Sequence, residues 1–75
     1  MPAACTALHA ALADTFGPVL QHGGETPHWE LTACGCLVTL HGQGPYFERI
    51  EAQNEQVRLR VARLIERAQH AVLAI

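Results

Sequence analysis

The sequence predicts an α+β fold with the element order α-β-β-α. Three observations predict it: apolar residues at helical spacing over 3–16, alternation of apolar and polar residues over 28–41, and a stretch without Gly or Pro over 46–75. The chain has 75 residues, the length of one domain, which we place over 1–75. A domain this small buries little more than half of its unfolded surface, so a metal, a disulfide or a partner subunit is expected to add stability.

Helix 1 is predicted over about 3–16. Its apolar stripe has spacings of three and four: Cys5, Leu8, Leu12 and Phe16. Gly17 and Pro18 should end the helix, because glycine can adopt the left-handed conformation and proline cannot continue the hydrogen-bond ladder. The segment that follows, up to Pro27, is predicted to be a loop with at most a short turn before Gly23-Gly24.

A two-stranded antiparallel hairpin is predicted over about 28–41, with its turn at Cys34-Gly35. Placing these two residues in the turn pairs Ala33 with Cys36, and the pairing continues outward from there. One face of the hairpin is then entirely apolar: Trp29, Leu31, Ala33, Cys36, Val38 and Leu40. The other face carries His28, Glu30, Thr32, Leu37, Thr39 and His41. A slip of one residue in one strand would mix the two sets, so the alternation and the turn position agree.

Helix 2 is predicted over about 46–75, with Pro45 at its start. A helix of that length would extend roughly 45 Å, whereas strands of about six residues span about 20 Å, so part of it should project beyond the rest of the domain. Two sets of residues recur every seven positions, offset by four: Ile50, Val57, Leu64 and Ala71, and Asn54, Val61, Ala68 and Ile75.

This repeat has the form of an a/d heptad seam with one buried asparagine, which predicts a homodimer by coiled-coil or four-helix packing. Dimerisation is expected through Ile50, Asn54, Val57, Val61, Leu64 and Ala68. The alternative is a kinked helix that folds back on a monomer, or one that docks on a different protein.

Composition excludes several classes of function. A formal net charge of -2 argues against a general binder of nucleic acid or anionic membranes, which needs a basic excess. No apolar run approaches the roughly 20 residues that span a bilayer, and the N-terminus lacks the basic region of a signal peptide. An odd number of cysteines, three, disfavours a secreted disulfide framework. We therefore expect a cytoplasmic protein without a cofactor or a membrane partner.

The histidines and cysteines of the hairpin are the group that invites a chemical interpretation. His28 and His41 lie opposite each other in the predicted register, so with Glu30 they could bind a divalent metal. Cys34-Gly-Cys36 lacks the spacing of a zinc motif and lies at the other end of the strands. The alternative function is thus a metal- or redox-sensing protein that uses His28, His41, Cys34 and Cys36. No base lies near Cys34 and a chain this short has little room for a pocket, so an enzyme is not expected.

Helix 2 also carries a stripe of arginines. Arg60, Arg63 and Arg67 share one side of the helix, where they could bind an acidic protein or a phosphate backbone. Glu55 precedes the stripe and can pair with Arg58 on the same helix. A weak nucleic-acid binder that uses the arginine stripe is therefore the third interpretation.

The aromatic pair at the start of predicted helix 2 is expected to contribute to the core or to an interface. Tyr46 and Phe47 should pack beside Trp29 or the end of helix 1, and would anchor an interface if exposed. Together these features favour a small non-enzymatic protein–protein interaction module that regulates or inhibits a larger protein or complex. Its partner-binding residues are expected to be Tyr46, Phe47, Arg60, Arg63 and Arg67.

Overall fold

The computed structural model describes residues 3–73, and the side chains of residues 3–70. It contains two helices and a four-stranded antiparallel sheet, which confirms the α+β class. The elements in chain order are α1 (Ala3–Phe16), β1 (Val19–His22), β2 (His28–Ala33), β3 (Cys36–His41), β4 (Arg49–Ala52) and α2 (Glu55–Leu73). The strands form a meander in the order β1-β2-β3-β4. Within residues 3–73, neither helix has the length and apolar character needed to cross a membrane.

α1 spans Ala3–Phe16, as predicted. Gly17 ends it with a φ of 100°, and its N–H donates to the Ala13 carbonyl over 2.9 Å. This is the left-handed C-terminal geometry that glycine adopts without steric cost. The predicted stripe faces the core, with Cys5, Leu8 and Leu12 buried and Phe16 packed against them.

The central hairpin has the predicted register. Ala33 lies opposite Cys36, and the pairing runs without a break to His28 opposite His41. Cys34 and Gly35 have φ values of 52° and 78°, the two positive angles that a type I′ turn requires. The predicted apolar face is buried except for the half-buried Cys36: Trp29, Leu31, Ala33, Val38 and Leu40.

The predicted element order α-β-β-α was wrong, because two further strands flank the hairpin. β1 pairs with β2 over Val19–His22, where a loop was predicted, and β4 pairs with β3 over Arg49–Ala52, where a helix was predicted. Each flanking strand has only four residues, so each shows too little alternation to be separated from a turn or a helix by pattern alone.

The predicted start of helix 2 was also wrong: α2 begins at Glu55 instead of 46. Asn54 caps it, because its Oδ1 accepts hydrogen bonds from the backbone N–H groups of Gln56 (2.9 Å) and Val57 (3.2 Å). The helix has 19 residues and extends about 28 Å. Since the longest dimension of the molecule is 33 Å, the predicted projecting segment is absent from the described structure. The predicted end of the helix at residue 75 lies outside the described residues.

Residues 42–48 form a loop that closes one end of the sheet over Trp29. Its backbone is held by the carbonyl of Pro45, which accepts a hydrogen bond from Gln69 Nε2 of α2 over 2.8 Å. Gly44 lies so close to the indole that a Cβ there would come within 2.6 Å of Trp29 Cζ2. Pro45 therefore belongs to this loop and does not start a helix.

Both helices contribute to a core on one face of the sheet, and this core includes residues of the predicted dimer seam. Val57 and Val61 are 8% and 0% exposed, and Leu64 and Ala68 pack against the same core. Ile50 lies in β4 and Asn54 is the helix cap. The prediction of one continuous seam on helix 2 was therefore wrong, since the chain itself covers the valines. The side chain of Ala71 and the whole of Ile75 lie outside the described part of the chain.

Candidate functional site

The sheet has an outer face that the helices do not cover, and its side chains lie in rows across the strands. The strand register places one row across all four strands: His22, His28, His41 and Arg49. The next row on the same face consists of Leu20, Glu30, Thr39 and Glu51. Histidines therefore lie beside carboxylates on this face.

His22, His28 and Glu30 form what we call the histidine cluster. The Oε1 atom of Glu30 lies 2.9 Å from His22 Nε2 and 3.2 Å from His28 Nε2. The two imidazole rings stack with centroids 4.5 Å apart and planes 13° from parallel. One ligand atom from each residue falls within 4.8 Å of the other two, so the three side chains could share a cation.

A backbone carbonyl fixes the orientation of His28. Its Nδ1–H donates to the carbonyl oxygen of Thr26 over 2.9 Å. This hydrogen bond is the main cause that raises the pKa of His28 above its ordinary value; the Glu30 carboxylate also raises it, while partial burial opposes the shift. The ring is thus held with Nε2 directed at Glu30.

His41 belongs to a separate pair, although it lies opposite His28 as predicted. Its Nε2 atom lies 2.8 Å from Glu51 Oε1. The hydrogen bond from His41 lowers the pKa of Glu51, and the charge of Arg49 adds to this effect. The predicted metal pair of His28 and His41 is therefore divided between two carboxylates.

Sequence reasoning missed His22 because its strand was taken for a loop. The signal was the five-residue connection from His22 to His28, which contains Gly23-Gly24. Hairpin connections of three to five residues with a glycine are common. Such a connection would have placed the two histidines opposite each other.

The cysteines do not join the histidines. Cys34 is exposed at the hairpin turn, Cys36 is half-buried beside it and Cys5 is buried under α1; all three are free thiols. Cys34 in the turn is six residue steps from His28 along the hairpin, or roughly 20 Å. The alternative site of His28, His41, Cys34 and Cys36 is therefore not assembled.

The arginine stripe lies along an open groove between α2, the end of α1 and the hairpin turn, which we call the arginine groove. The turn is in direct contact with the stripe, because Arg60 Nη1 donates to Cys34 Sγ over 3.2 Å. The groove is lined by Thr15, Phe16, Cys34, Asn54, Gln56, Val57, Leu59, Arg60, Arg63, Leu64 and Arg67. Three predicted partner-binding residues thus lie together, beside apolar side chains.

The charges of α2 are paired at one position and unpaired in the groove. Arg58 forms a two-point ion pair with Glu55, which raises the pKa of Arg58 and lowers the pKa of Glu55. Within the described part of the chain, Arg60, Arg63 and Arg67 have no carboxylate oxygen within 4.0 Å. All three side chains are exposed.

The two predicted aromatic anchors have different surroundings. Phe47 packs edge-on against Trp29, with ring centroids 4.9 Å apart and planes at 71°, which confirms the predicted packing. Tyr46 is 69% exposed, so the prediction that it packs with Phe47 beside Trp29 or the end of helix 1 was wrong, and its role in an interface stays a prediction. Neither residue lines the arginine groove.

Comparison with known proteins supplies no further guide to function. No family model, no curated protein and no solved structure matches the chain.

Proposed function

We propose that this chain is a small non-enzymatic module that binds an acidic segment of another protein in the arginine groove, and thereby regulates or inhibits that protein. One observation carries the proposal: among the described residues, Arg60, Arg63 and Arg67 have no carboxylate partner, and they lie along a groove that also offers apolar surface from Leu59 and Leu64. Apolar surface combined with cations that have no carboxylate partner of their own suits the binding of an acidic protein segment.

The ion pair between Arg58 and Glu55 supports this interpretation by contrast with the groove arginines. That pair is satisfied within one turn of the helix. The three groove arginines have no equivalent. Their field is local, since the chain as a whole carries a net charge of -2. The groove would therefore attract an acidic partner, whereas the net negative charge of the chain as a whole disfavours binding of that partner elsewhere.

The spacing of the arginines sets the form of the partner. Arg60 and Arg67 are separated by about 10 Å along the helix axis. A peptide in the extended polyproline II conformation has three residues per turn and rises about 3.1 Å per residue, so acidic side chains at positions i and i+3 lie on one side of it and would reach both ends of the stripe. The expected partner segment is therefore short, extended and acidic.

Self-association remains a prediction and forms part of the proposal. Because Val57 and Val61 lie in the core, a homodimer would have to use another surface. Tyr46, which is exposed and lies outside the groove, is a candidate for such a contact. Sedimentation equilibrium at tens of micromolar would separate monomer from dimer.

Site-directed photo-crosslinking tests the proposal in the cell that makes the protein. A photo-crosslinking residue would replace Leu59 in the groove or, as a matched control, Leu37 on the outer face of the sheet; both leucines are exposed. We expect crosslinks from position 59 to an acidic segment of a second protein. Neutralisation by Arg60→Gln with Arg63→Gln should weaken capture about tenfold, because each exposed ion pair contributes about 0.2–1 kcal/mol.

The control substitution is Arg58→Gln, which removes a charge that is already paired within α2. It should leave capture unchanged. Crosslinks only from position 37, or capture that survives loss of Arg60 and Arg63, would contradict a groove interface. Crosslinks from position 59 to nucleic acid instead of protein would favour the third interpretation.

A further inference from the structure

We propose that the histidine cluster binds one divalent transition-metal cation of the zinc type through His22 Nε2, His28 Nε2 and a carboxylate oxygen of Glu30. The site lies on the outer face of the sheet and does not depend on the arginine groove. Its ligands differ from the predicted metal set of His28 and His41 with Glu30, because His22 takes the place of His41.

The ligand separations are those of atoms around a small cation. Zinc binds imidazole nitrogen and carboxylate oxygen at about 2.0–2.2 Å, so two tetrahedral ligands lie roughly 3.3 Å apart and two at right angles roughly 2.9 Å apart. The two nitrogen–oxygen separations in the cluster are 3.2 Å and 2.9 Å. Both nitrogen–oxygen separations therefore already fit ligands of one metal ion, and the rearrangement that remains concerns the two imidazole rings.

The hydrogen bond to Thr26 decides which nitrogen of His28 is available as a ligand. A carbonyl oxygen can only accept, so His28 Nδ1 carries a hydrogen and Nε2 of the neutral ring bears the lone pair. That lone pair lies 3.2 Å from a carboxylate oxygen. A proton on Nε2 makes this contact a hydrogen bond, and a metal ion bound by the same two atoms would take the place of that proton. A backbone carbonyl that orients a histidine ring is also the usual support for a metal ligand.

Metal binding requires one rearrangement. The lone pairs of nearly parallel stacked rings point in parallel planes and cannot both be directed at one ion, so the stack must open. The side chain of His22 is 43% exposed, against 28% for His28, and within the described residues its ring contacts are the stack with His28 and the ion pair with Glu30. His22 is thus the ring that turns, while His28 keeps its contact with Thr26.

The donor set selects the class of metal. Two imidazoles and one carboxylate suit zinc and its first-row neighbours, whereas magnesium and calcium prefer oxygen ligands throughout. Three protein ligands leave at least one position for water. The bound ion would join β1, a four-residue edge strand, to β2 at the last pair of their register, His22 opposite His28.

The test is titration of the full chain, made without a histidine tag and freed of metal with a chelator, with zinc followed by calorimetry. We expect saturable binding of one zinc ion per chain and a rise in the melting temperature. His22→Ala and His28→Ala should each weaken binding more than about tenfold, since even loss of an outer partner of a metal ligand costs 10–100-fold. Cobalt should give a visible absorption spectrum that changes in Glu30→Gln.

His41→Ala is the matched control, because His41 makes the same kind of contact with a carboxylate on the same face of the sheet. Cys34→Ser controls for binding at the exposed thiol. Both variants should bind zinc within about twofold of the unchanged chain. The proposal fails if zinc does not bind with 1:1 stoichiometry, if loss of His41 or Cys34 weakens binding as much as loss of His28, or if Glu30→Gln and His22→Ala bind normally.

Discussion

The histidine cluster and the arginine groove are both polar, but they differ in whether their charged groups have partners within the described part of the chain. In the histidine cluster, two imidazoles converge on one carboxylate oxygen at 2.9 Å and 3.2 Å. In the groove, the guanidinium groups of Arg60, Arg63 and Arg67 have no carboxylate within 4.0 Å in the described structure. Converging donor atoms suit a small cation, whereas dispersed cations along a groove suit an extended anionic chain.

The difference shows that residue type alone does not identify a site. His28 and His41 are both strand histidines beside glutamates, yet only His28 shares its carboxylate with a second histidine. Arg58 and Arg60 are both helix arginines, yet among the described residues only Arg58 has a carboxylate partner, whereas Arg60 contacts the Cys34 thiol. The local geometry therefore decides which ligand each surface could bind.

Loss of the helix cap is expected to have the largest effect on stability, and it should change α2 without changing the histidine cluster. Asn54 caps α2 and lines the arginine groove, and it is not part of the histidine cluster. Asn54→Ala should lower the free energy of unfolding by about 1 kcal/mol, because it leaves the N–H groups of Gln56 and Val57 without their acceptor. Amide hydrogen exchange in the first turn of α2 should accelerate, and zinc affinity should not change.

Asn54→Asp is the control for the cap, since aspartate caps helices as well as asparagine does. It should retain stability within a few tenths of a kcal/mol. If denaturant melts show that Asn54→Ala is as stable as the unchanged chain, the cap does not contribute. If Asn54→Ala also loses zinc affinity, the two regions are not independent.

A smaller effect is expected at the pair of His41 and Glu51 on the outer face of the sheet. The hydrogen bond from His41, followed by the charge of Arg49, keeps the pKa of Glu51 below its ordinary value of 4.5. Because the pKa is lowered in the folded state, this contact stabilises the fold above pH 4.5 and the contribution is lost as the pH falls through the lowered pKa.

NMR titration of the Glu51 carboxyl carbon measures this directly. His41→Ala should return the pKa of Glu51 most of the way to its ordinary value, and Arg49→Gln should return it less. A pKa of Glu51 that does not move in His41→Ala would show that the pair does not persist in solution.

The central hairpin could be predicted in full because its alternation and turn constrain each other. A shift by one residue would have exposed Leu31 or Val38, so only one register buried the apolar set. The region around β4 could not be predicted in the same way, because its residues also fit a helical heptad repeat. In the structure Ile50 belongs to a strand, Asn54 is a helix cap, and Val57 and Val61 lie in the core. The one local signal against the long helix was an asparagine directly before Glu55, the usual start of a helix.

The candidate sites were only partly predictable for a related reason. Helical spacing alone placed Arg60, Arg63 and Arg67 on one side, and the structure agrees. That the hairpin turn meets this side, with Cys34 against Arg60, follows from tertiary packing and has no local signature. Predicting His22 as the partner of His28 would have required recognising residues 23–27 as a hairpin connection between two strands.

Binding of an acidic peptide, followed by NMR amide shifts of the labelled full chain, tests the central claim most directly. The probe is a ten-residue peptide with glutamates at positions i and i+3, and the control has glutamines at those positions. We expect saturable shifts in residues 55–67, Phe16 and Cys34, which weaken in Arg60→Gln with Arg63→Gln and at higher salt. Shifts centred on residues 22–30, or equal shifts with the glutamine peptide, would contradict it.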